Sequence, residues 1–384
     1  MAPVAAGLFH GDIDDKTLYN FVVVEGNGVK GMVDSGLLSE VPNLFIQPQH
    51  ERIQFVTAVK NKEVKTTKHL PIIDLSELDD PTKHEEVVRK LVDAAESLGF
   101  FQIMNHGVPS ELLERLKQAA HNFFNQPPEY KSLYLRGRVS PSSPIVKYGT
   151  SFAPEKAGKA LEWKDFVSMI YTSDSDALQF WPQECKEAAL EYLKTSSKMV
   201  RRILEVLFGN LGLEVIDKNE EYLYMGGMRV NMNFYPPCPD PELTVGVAPH
   251  SDMGTLTVLL QDGIGGLHVK INEDEQEESD GEWIEIPPIP SALVINVGDS
   301  LQILSNGRYK SAEHRVRTTS TQSRVSIPLF VAPRPGDKIG PLPQVVENGG
   351  IPHYRDFLCA EYMNNFFGKA HEGKKSLDFA KISP

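Results

Sequence analysis

Few features of this 384-residue sequence assign it to a class at sight, and what is scarce narrows the choice. Cysteine is nearly absent. Cys185, Cys238 and Cys359 are far apart, odd in number and form no CxxC pair. No disulfide framework or thiolate zinc site is expected, all three read as plain buried or surface thiols, and a reducing cytoplasm is the simplest location. No window approaches ~18 uninterrupted apolar residues, so no membrane-spanning helix is expected. The start, MAPVAAGLFHGDIDDKT, has no basic segment and soon turns acidic, which makes a poor secretory signal. Positive charge is also short: 39 Lys and Arg stand against 52 Asp and Glu, a formal net charge of −13. Nucleic acid and anionic membranes both require a basic surface and are not expected as partners. A small anion remains possible, because one local arginine can hold it. The glycine-rich GNGVKG (26–31) lacks the Lys-Ser/Thr that completes a phosphate loop. No internal repeat is found.

What is present reads as helices around a β-core. Residues 1–70 read as irregular. LPIIDLS (70–76) reads as a short buried strand, with Ser76 able to cap the segment after it. EEVVRKLVDAAESLGF (85–100) carries apolar residues at helical spacing, and Gly99 supplies the stop. FFQIMNHG (100–107) then reads as a strand. SELLERLKQAAHNFFNQ (110–126) is a second helix, halted by Pro127-Pro128, and 186–212 is a third, long one. After about residue 223, short runs rich in Val, Ile, Leu and Thr alternate with Gly, Pro, Asn and Asp, the pattern of a β-sandwich, jelly roll or barrel. SNG (305–307) reads as a hairpin turn. NEDEQEESDGE (272–282) reads as a solvated acidic loop. HYRDFLCAEYMNNFFGKA, after Pro335, returns to helix.

APHSDMGTLT (248–257) raises the chemical question. On a strand, side chains at i and i+2 share a face, so His250 and Asp252 project together while Ser251 points away. Pro249 places this pair at a strand end or edge. Two histidines and one carboxylate are a common way to hold iron(II) with coordination positions left open. His268 lies on a strand soon after. His314, in NGRYKSAEHRVRTT, lies on what reads as the hairpin partner following Asn306-Gly307, and is the better second histidine. By spacing alone, however, structural or surface histidines remain the more economical reading.

RVS (324–326) shifts the balance. Arg324 and Ser326 share a face by the same alternation, and Arg324 sits in an apolar strand, SRVSIPLFVAP. A buried guanidinium needs an anion, and its planar fork suits a carboxylate. An internal Asp or Glu would serve as well as a ligand. A non-catalytic cupin-like binding protein or a two-His, one-carboxylate zinc site would also account for the triad, but neither has a use for Arg324 and Ser326.

Taken together, HSD (250–252), YKSAEHRV (309–316), RVS (324–326), NFYPPCPDPELTVGV (233–247), QDGIGGLHV (261–269), VINVGDSLQILSNG (294–307) and GFFQIMNHGVP (99–109) resemble the plant iron(II)/2-oxoglutarate-dependent dioxygenases, from about residue 71 to the C-terminus. The resemblance implies an α+β protein with a mainly β core, a distorted double-stranded β-helix (jelly roll) surrounded by α-helices. It would be organised as a lead segment (1–70), an N-terminal helical region (71–222), the jelly-roll core (223–335) and a C-terminal helical segment (336–384), one integrated catalytic unit. It implies Fe(2+) as cofactor, 2-oxoglutarate and O2 as cosubstrates, and ascorbate as supporting reductant. His250, Asp252 and His314 would be the iron ligands. Arg324 and Ser326 would bind the distal carboxylate of 2-oxoglutarate, with Tyr235 and Asn233 contacting the same cosubstrate. Segments 21–37, 146–169 and 363–380 resemble the coumarin branch of the family, whose members act on free coumarins or on CoA esters of hydroxycinnamates. The expected partner is a small phenolic, with no nucleic acid and no membrane, and the chain is expected to be a monomer. Phe330, on the Arg324 face of its strand, could stack on a flat aromatic substrate or simply pack in the core. Asn231 is counted with it by alternation, and Lys147, Tyr148, Thr150 and Phe152 by their place in KYGTSF. Trp163 reads as structural. Lysines 156, 159 and 164 leave free coumarin against CoA ester undecided.

Overall fold

The computed structural model describes residues 14–36, 38–53, 70–138, 140, 142, 145–154, 158–213, 222–271, 281–347, 351–368 and 373–382. The acidic run at 272–280 and Lys156 lie outside these. In chain order the strands of the two main sheets are β1 (Ile72–Asp74), β2 (Phe100–Met104), β3 (Val146–Thr150), β4 (Asp165–Tyr171), β5 (Gly227–Tyr235), β6 (Val247–His250), β7 (Leu256–Gln261), β8 (Leu267–Ile271), β9 (Glu282–Glu285), β10 (Leu293–Val297), β11 (His314–Val316) and β12 (Arg324–Ala332). Among the described residues they form an eight-stranded sheet, β1-β2-β10-β7-β12-β5-β4-β3, and a four-stranded sheet, β6-β11-β8-β9. This is the expected jelly-roll core. The connections that pass to and fro between the sheets from β5 to β12 give it the double-stranded β-helix character.

Alternation along the central strands decides what each face does. On β12, Val325, Ile327, Leu329 and Val331 enter the large apolar cluster, as do Val230 and Met232 of β5. Facing that surface are the helices His84–Ser97, Ser110–Phe124 and Lys186–Asn210, the first two packed on the third. Each buries one apolar stripe, for example Val87, Leu91 and Ala95 of the first. The other face of β12 and β5 turns toward the smaller sheet. Between the two sheets a second cluster, which includes Phe100, Tyr235, Val247, Leu267 and Val316, closes one end of an interior cavity.

Gly99 shows how closely the layers are fitted. It ends the His84–Ser97 helix at φ +65, its N–H bonded to Ala94 O, and a Cβ built there would lie 1.7 Å from the Lys310 carbonyl oxygen. Gly99→Ala therefore combines left-handed strain with a backbone clash. Thermal unfolding is expected to show a loss of about 2 kcal/mol or more; an unchanged Tm would mean the Lys310 strap yields freely.

Several expectations need correction. The lead segment is not uniformly irregular: Asp15–Tyr19 and Gly28–Asp34 are helical, joined through a π-helical turn at Asn20–Val24. GNGVKG is a turn only as far as Gly28. The Asp165 carboxylate there accepts from the N–H groups of Val29 and Lys30 at 2.8 Å each and from the Thr150 hydroxyl at 2.6 Å, which ties the lead segment to β4. Burial pushes the Asp165 carboxyl up, against these donors. The strand at 70–76 is buried only in part, since Ile72 is 55% exposed, and Asp74 rather than Ser76 caps the following turn. The run before SNG, LQIL (301–304), is not the first strand of a hairpin. Asp299–Leu304 is a fully buried helix, and Asn306-Gly307 closes its C-terminus, with Gly307 N bonded to Gln302 O at 2.8 Å. β11 therefore has no hairpin partner there and pairs instead with β6 and β8. The region 71–222 contributes four strands, β1 to β4, to the large sheet as well as its helices. Beyond 335 a two-stranded pair, Lys338–Ile339 with Phe357–Leu358, precedes the helix, which begins at Cys359. Trp163 is fully buried against Phe45, its indole N–H bonded to Pro236 O. All three cysteines are buried. Among the described residues no helix is long and apolar enough to cross a membrane.

Candidate metal centre

The smaller sheet brings the two histidines together. His314 on β11 is the direct cross-strand partner of His250 at the end of β6, and their rings lie 4.2 Å apart between centroids. Asp252 lies just past the end of β6, yet its side chain returns to the face of the two histidines. Its Oδ1 is 3.8 Å from His250 Nε2 and 3.9 Å from His314 Nε2. Ser251 points the opposite way, donating to Asp299 Oδ2 at 3.0 Å. His268 lies on the neighbouring strand, bonded to Gly266 O, outside this group.

The surrounding hydrogen bonds fix which atoms face the centre. His250 Nδ1 contacts Ala248 O at 2.9 Å and His314 Nδ1 contacts Ala312 O at 3.2 Å. With each Nδ1 donating to a carbonyl, each Nε2 is the ring nitrogen left facing Asp252, the usual arrangement of ligating histidines. Asp252 Oδ2 accepts from Thr257 Oγ1 at 2.6 Å and Asn296 Nδ2 at 2.8 Å, which leaves Oδ1 toward both imidazoles. Ligand atoms of the three residues all lie within 4.8 Å of one another. Two neutral nitrogens and one carboxylate oxygen, all on one side, fit a divalent ion that retains open positions. Thr257→Val keeps the side-chain shape but deletes a support of Asp252. Calorimetric titration is expected to show divalent-metal affinity falling by about 10–100-fold, and no change would mean Asn296 alone orients the carboxylate.

Arg324, Ser326, Asn233 and Tyr235 converge in the same cavity because β12 and β5 pair Arg324 with Tyr235 and Ser326 with Asn233. Arg324 is 1% exposed. Its Nε donates to Ile264 O at 3.1 Å and its Nη2 to Gln261 Oε1 at 2.9 Å, but Nη1 is buried with no partner. Among the described residues no carboxylate pairs with it, so the internal Asp or Glu weighed from the sequence is not there. Ser326 Oγ reaches Asn233 Nδ2 and Tyr235 OH only at 3.4 Å each, too long for strong bonds. An orphaned guanidinium donor beside three slack polar groups is the cradle that an incoming carboxylate would complete.

The cavity is about 650 Å³. Phe330, Asn231, Lys147 and Phe152 line it. Tyr148 and Thr150 do not. On β3 they fall on the opposite face from Lys147, where Tyr148 packs against Phe123 and Thr150 holds Asp165. KYGTSF resembles a loop until β3 is recognised, and alternation along that strand then separates these residues. Sequence reasoning also misses Thr257 and Asn296, which support Asp252, and Phe366 and Phe367 of the Cys359–Gly368 helix, which wall the cavity beside Phe152. It misses Arg229 too, although that residue lies two positions before Asn231 on the same strand face.

Comparison with known proteins agrees with this geometry. Residues 226–333 match the 2OG-Fe(II) oxygenase superfamily, and residues 70–184 match the family described as non-haem dioxygenase in morphine synthesis, N-terminal. Scopoletin 8-hydroxylase of Arabidopsis thaliana is 60% identical over 96% of this chain and 98% of that protein. Feruloyl CoA ortho-hydroxylase 1 of the same plant is 47% identical over 94% and 95%. A crystal structure of JOX2 in complex with 2OG, Fe and JA superposes with a TM-score of 0.76 at 33% identity, covering 93% of this chain and 97% of that one. With a cavity that presents two histidines, one carboxylate and an unsatisfied arginine, and with relatives of this identity along nearly its whole length, the chain belongs to the 2OG-Fe(II) oxygenase superfamily, hydroxylases that use Fe(2+) and 2-oxoglutarate.

Proposed function

We propose that this enzyme hydroxylates the aromatic ring of a free phenolic coumarin, scopoletin in the first place, giving fraxetin. The overall change is scopoletin + 2-oxoglutarate + O2 to fraxetin + succinate + CO2, with one oxygen atom entering each organic product. The observation that carries the substrate is the gap in likeness: 60% identity to scopoletin 8-hydroxylase against 47% to the feruloyl-CoA enzyme, over nearly the same length.

In this reading His250, Asp252 and His314 hold Fe(2+), and Thr257 and Asn296 keep the Asp252 carboxylate turned toward it. Bound Fe(2+) supplies the redox chemistry that couples decarboxylation of 2-oxoglutarate to oxygen transfer. Arg324 Nη1 and Ser326 Oγ grip the distal carboxylate of 2-oxoglutarate, with Tyr235 and Asn233 alongside. Leu259, Leu267 and Val316, apolar residues of the cavity wall, keep water from the reacting groups. Phe330, Asn231, Lys147 and Phe152 receive the substrate. The enzyme acts as a cytoplasmic monomer that needs neither nucleic acid nor membrane, with ascorbate as supporting reductant.

Cations at the cavity favour a second reading, ortho-hydroxylation of a hydroxycinnamoyl-CoA, because Arg136, Lys147 and Lys164 also line it. The test is succinate formation from 2-oxoglutarate with Fe(2+) and ascorbate in the presence of scopoletin, feruloyl-CoA or p-coumaroyl-CoA. Scopoletin is expected to give the highest kcat/KM, and a CoA ester in that place would overturn the substrate assignment.

A further inference from the structure

Among the cavity charges that the proposed iron and 2-oxoglutarate sites do not use, Arg229 stands out. Arg229 projects from β5 on the same face as Asn231 and Asn233, and its cross-strand neighbour on β12 is Phe330. The guanidinium lies over the Phe330 ring at 4.9 Å and near the Phe367 ring at 5.9 Å. It is thereby held in place by two aromatic faces, while its Nε is buried without a partner. Among the described residues the Arg229 side chain has no hydrogen bond and no ion pair. The acid whose field reaches it is Asp252, whose charge the proposed ion would largely neutralise. Among the described residues Lys147, which also lines the cavity, has no anionic partner either. Burial and the nearby Arg136 and Arg229 push its ammonium down.

The register sets the distance to the reacting centre. Thr257, whose hydroxyl holds Asp252, pairs with Phe330, and Phe330 pairs with Arg229. Two strand spacings put the Arg229 backbone about 10 Å from that of Thr257, a separation of the order of a fused bicyclic aromatic. Arg324 and Ser326 are already matched to a dicarboxylate, so a second cationic end is superfluous for the cosubstrate and must face something else.

We infer that Arg229, with Lys147 beside it, is a specificity-determining anion subsite that binds the ionised phenolic oxygen of a flat bicyclic substrate, the ring resting on Phe330. This rests on the proposed phenolic-coumarin reading and adds the group by which the substrate is recognised. A guanidinium partly withdrawn from solvent beside aromatic rings binds an oxyanion much more strongly than a methyl ether, which offers only a weak neutral acceptor.

The experiment compares scopoletin with its phenol O-methyl ether in equilibrium binding to the iron- and 2-oxoglutarate-loaded enzyme without O2, read by ligand fluorescence. Wild type is expected to prefer scopoletin. Arg229→Gln is expected to weaken scopoletin by about tenfold or more and to leave the ether nearly unchanged, so that the preference disappears; Arg229→Lys should restore part of it. Unaltered 2-oxoglutarate affinity in the variants serves as the control for folding. Equal weakening of both ligands would mean that Arg229 only packs the cavity wall, and no weakening of either would mean that it does not touch the substrate; both results overturn the inference alone. A wild type that binds neither coumarin but does bind a CoA ester overturns the substrate reading and the inference with it.

Discussion

Asp252→Ala is expected to abolish both succinate formation and hydroxylation, lowering kcat by about 10³-fold or more. Asp252 is the one anionic donor of the proposed triad, and its removal takes away both a ligand and the charge that holds a divalent ion between two neutral imidazoles. The substitution also strands Thr257 Oγ1 and Asn296 Nδ2, which lose their common acceptor in a buried place. Asp252→Asn separates the two effects. It keeps an amide oxygen for these donors and removes only the charge, so the fold should hold while metal affinity collapses. The measurements are metal titration and steady-state turnover of both variants. Retained metal binding in Asp252→Asn would show that another group anchors the ion.

Arg324→Gln is expected to raise the KM for 2-oxoglutarate by about 10²–10³-fold, the usual penalty for losing one member of a buried, hydrogen-bonded charge pair. At saturating 2-oxoglutarate kcat should fall much less, because Arg324 binds the cosubstrate at the end remote from the chemistry. Arg324→Lys should recover only part of the affinity. The single nitrogen of a lysine cannot stand at the separate positions from which Nε reaches Ile264 O, Nη2 reaches Gln261 Oε1 and Nη1 is left for the ligand. Steady-state titration with 2-oxoglutarate checks this, and an unchanged KM in Arg324→Gln would remove the carboxylate subsite from this strand.

How much of the fold and site is legible in the sequence depends on whether a rule is local. Alternation on a strand places Arg324 with Ser326 and sends Ser251 away from His250 and Asp252. It works for Asp252 even though that residue lies past the strand end, since its carboxylate still meets the His250 ring. The partner of His250 can be chosen only by motif, since no local rule says that β11 pairs with β6 across more than sixty residues. Asp299–Leu304 is misread because every residue of this helix is buried. A helix that is buried on all sides shows no 3.6-residue period, and LQIL then resembles a core strand. β3 and β4 are missed because VKYGT and DFVSMIY lie among helical segments and join the large sheet only through β5. That error carries Tyr148 and Thr150 into the pocket and conceals Arg229, whose pairing with Phe330 is a matter of register between distant strands.

The central claim, that 2-oxoglutarate and a phenolic coumarin are oxidised together in the His250–Asp252–His314 cavity, is tested most directly by turnover under labelled oxygen. Purified enzyme, Fe(2+), ascorbate, 2-oxoglutarate and scopoletin are incubated under 18O2, and both organic products are analysed by mass spectrometry. The expected result is succinate carrying one labelled oxygen and fraxetin formed in equal amount, with neither product from Asp252→Ala. Fraxetin formed without 2-oxoglutarate, or unlabelled succinate alongside it, would contradict the account.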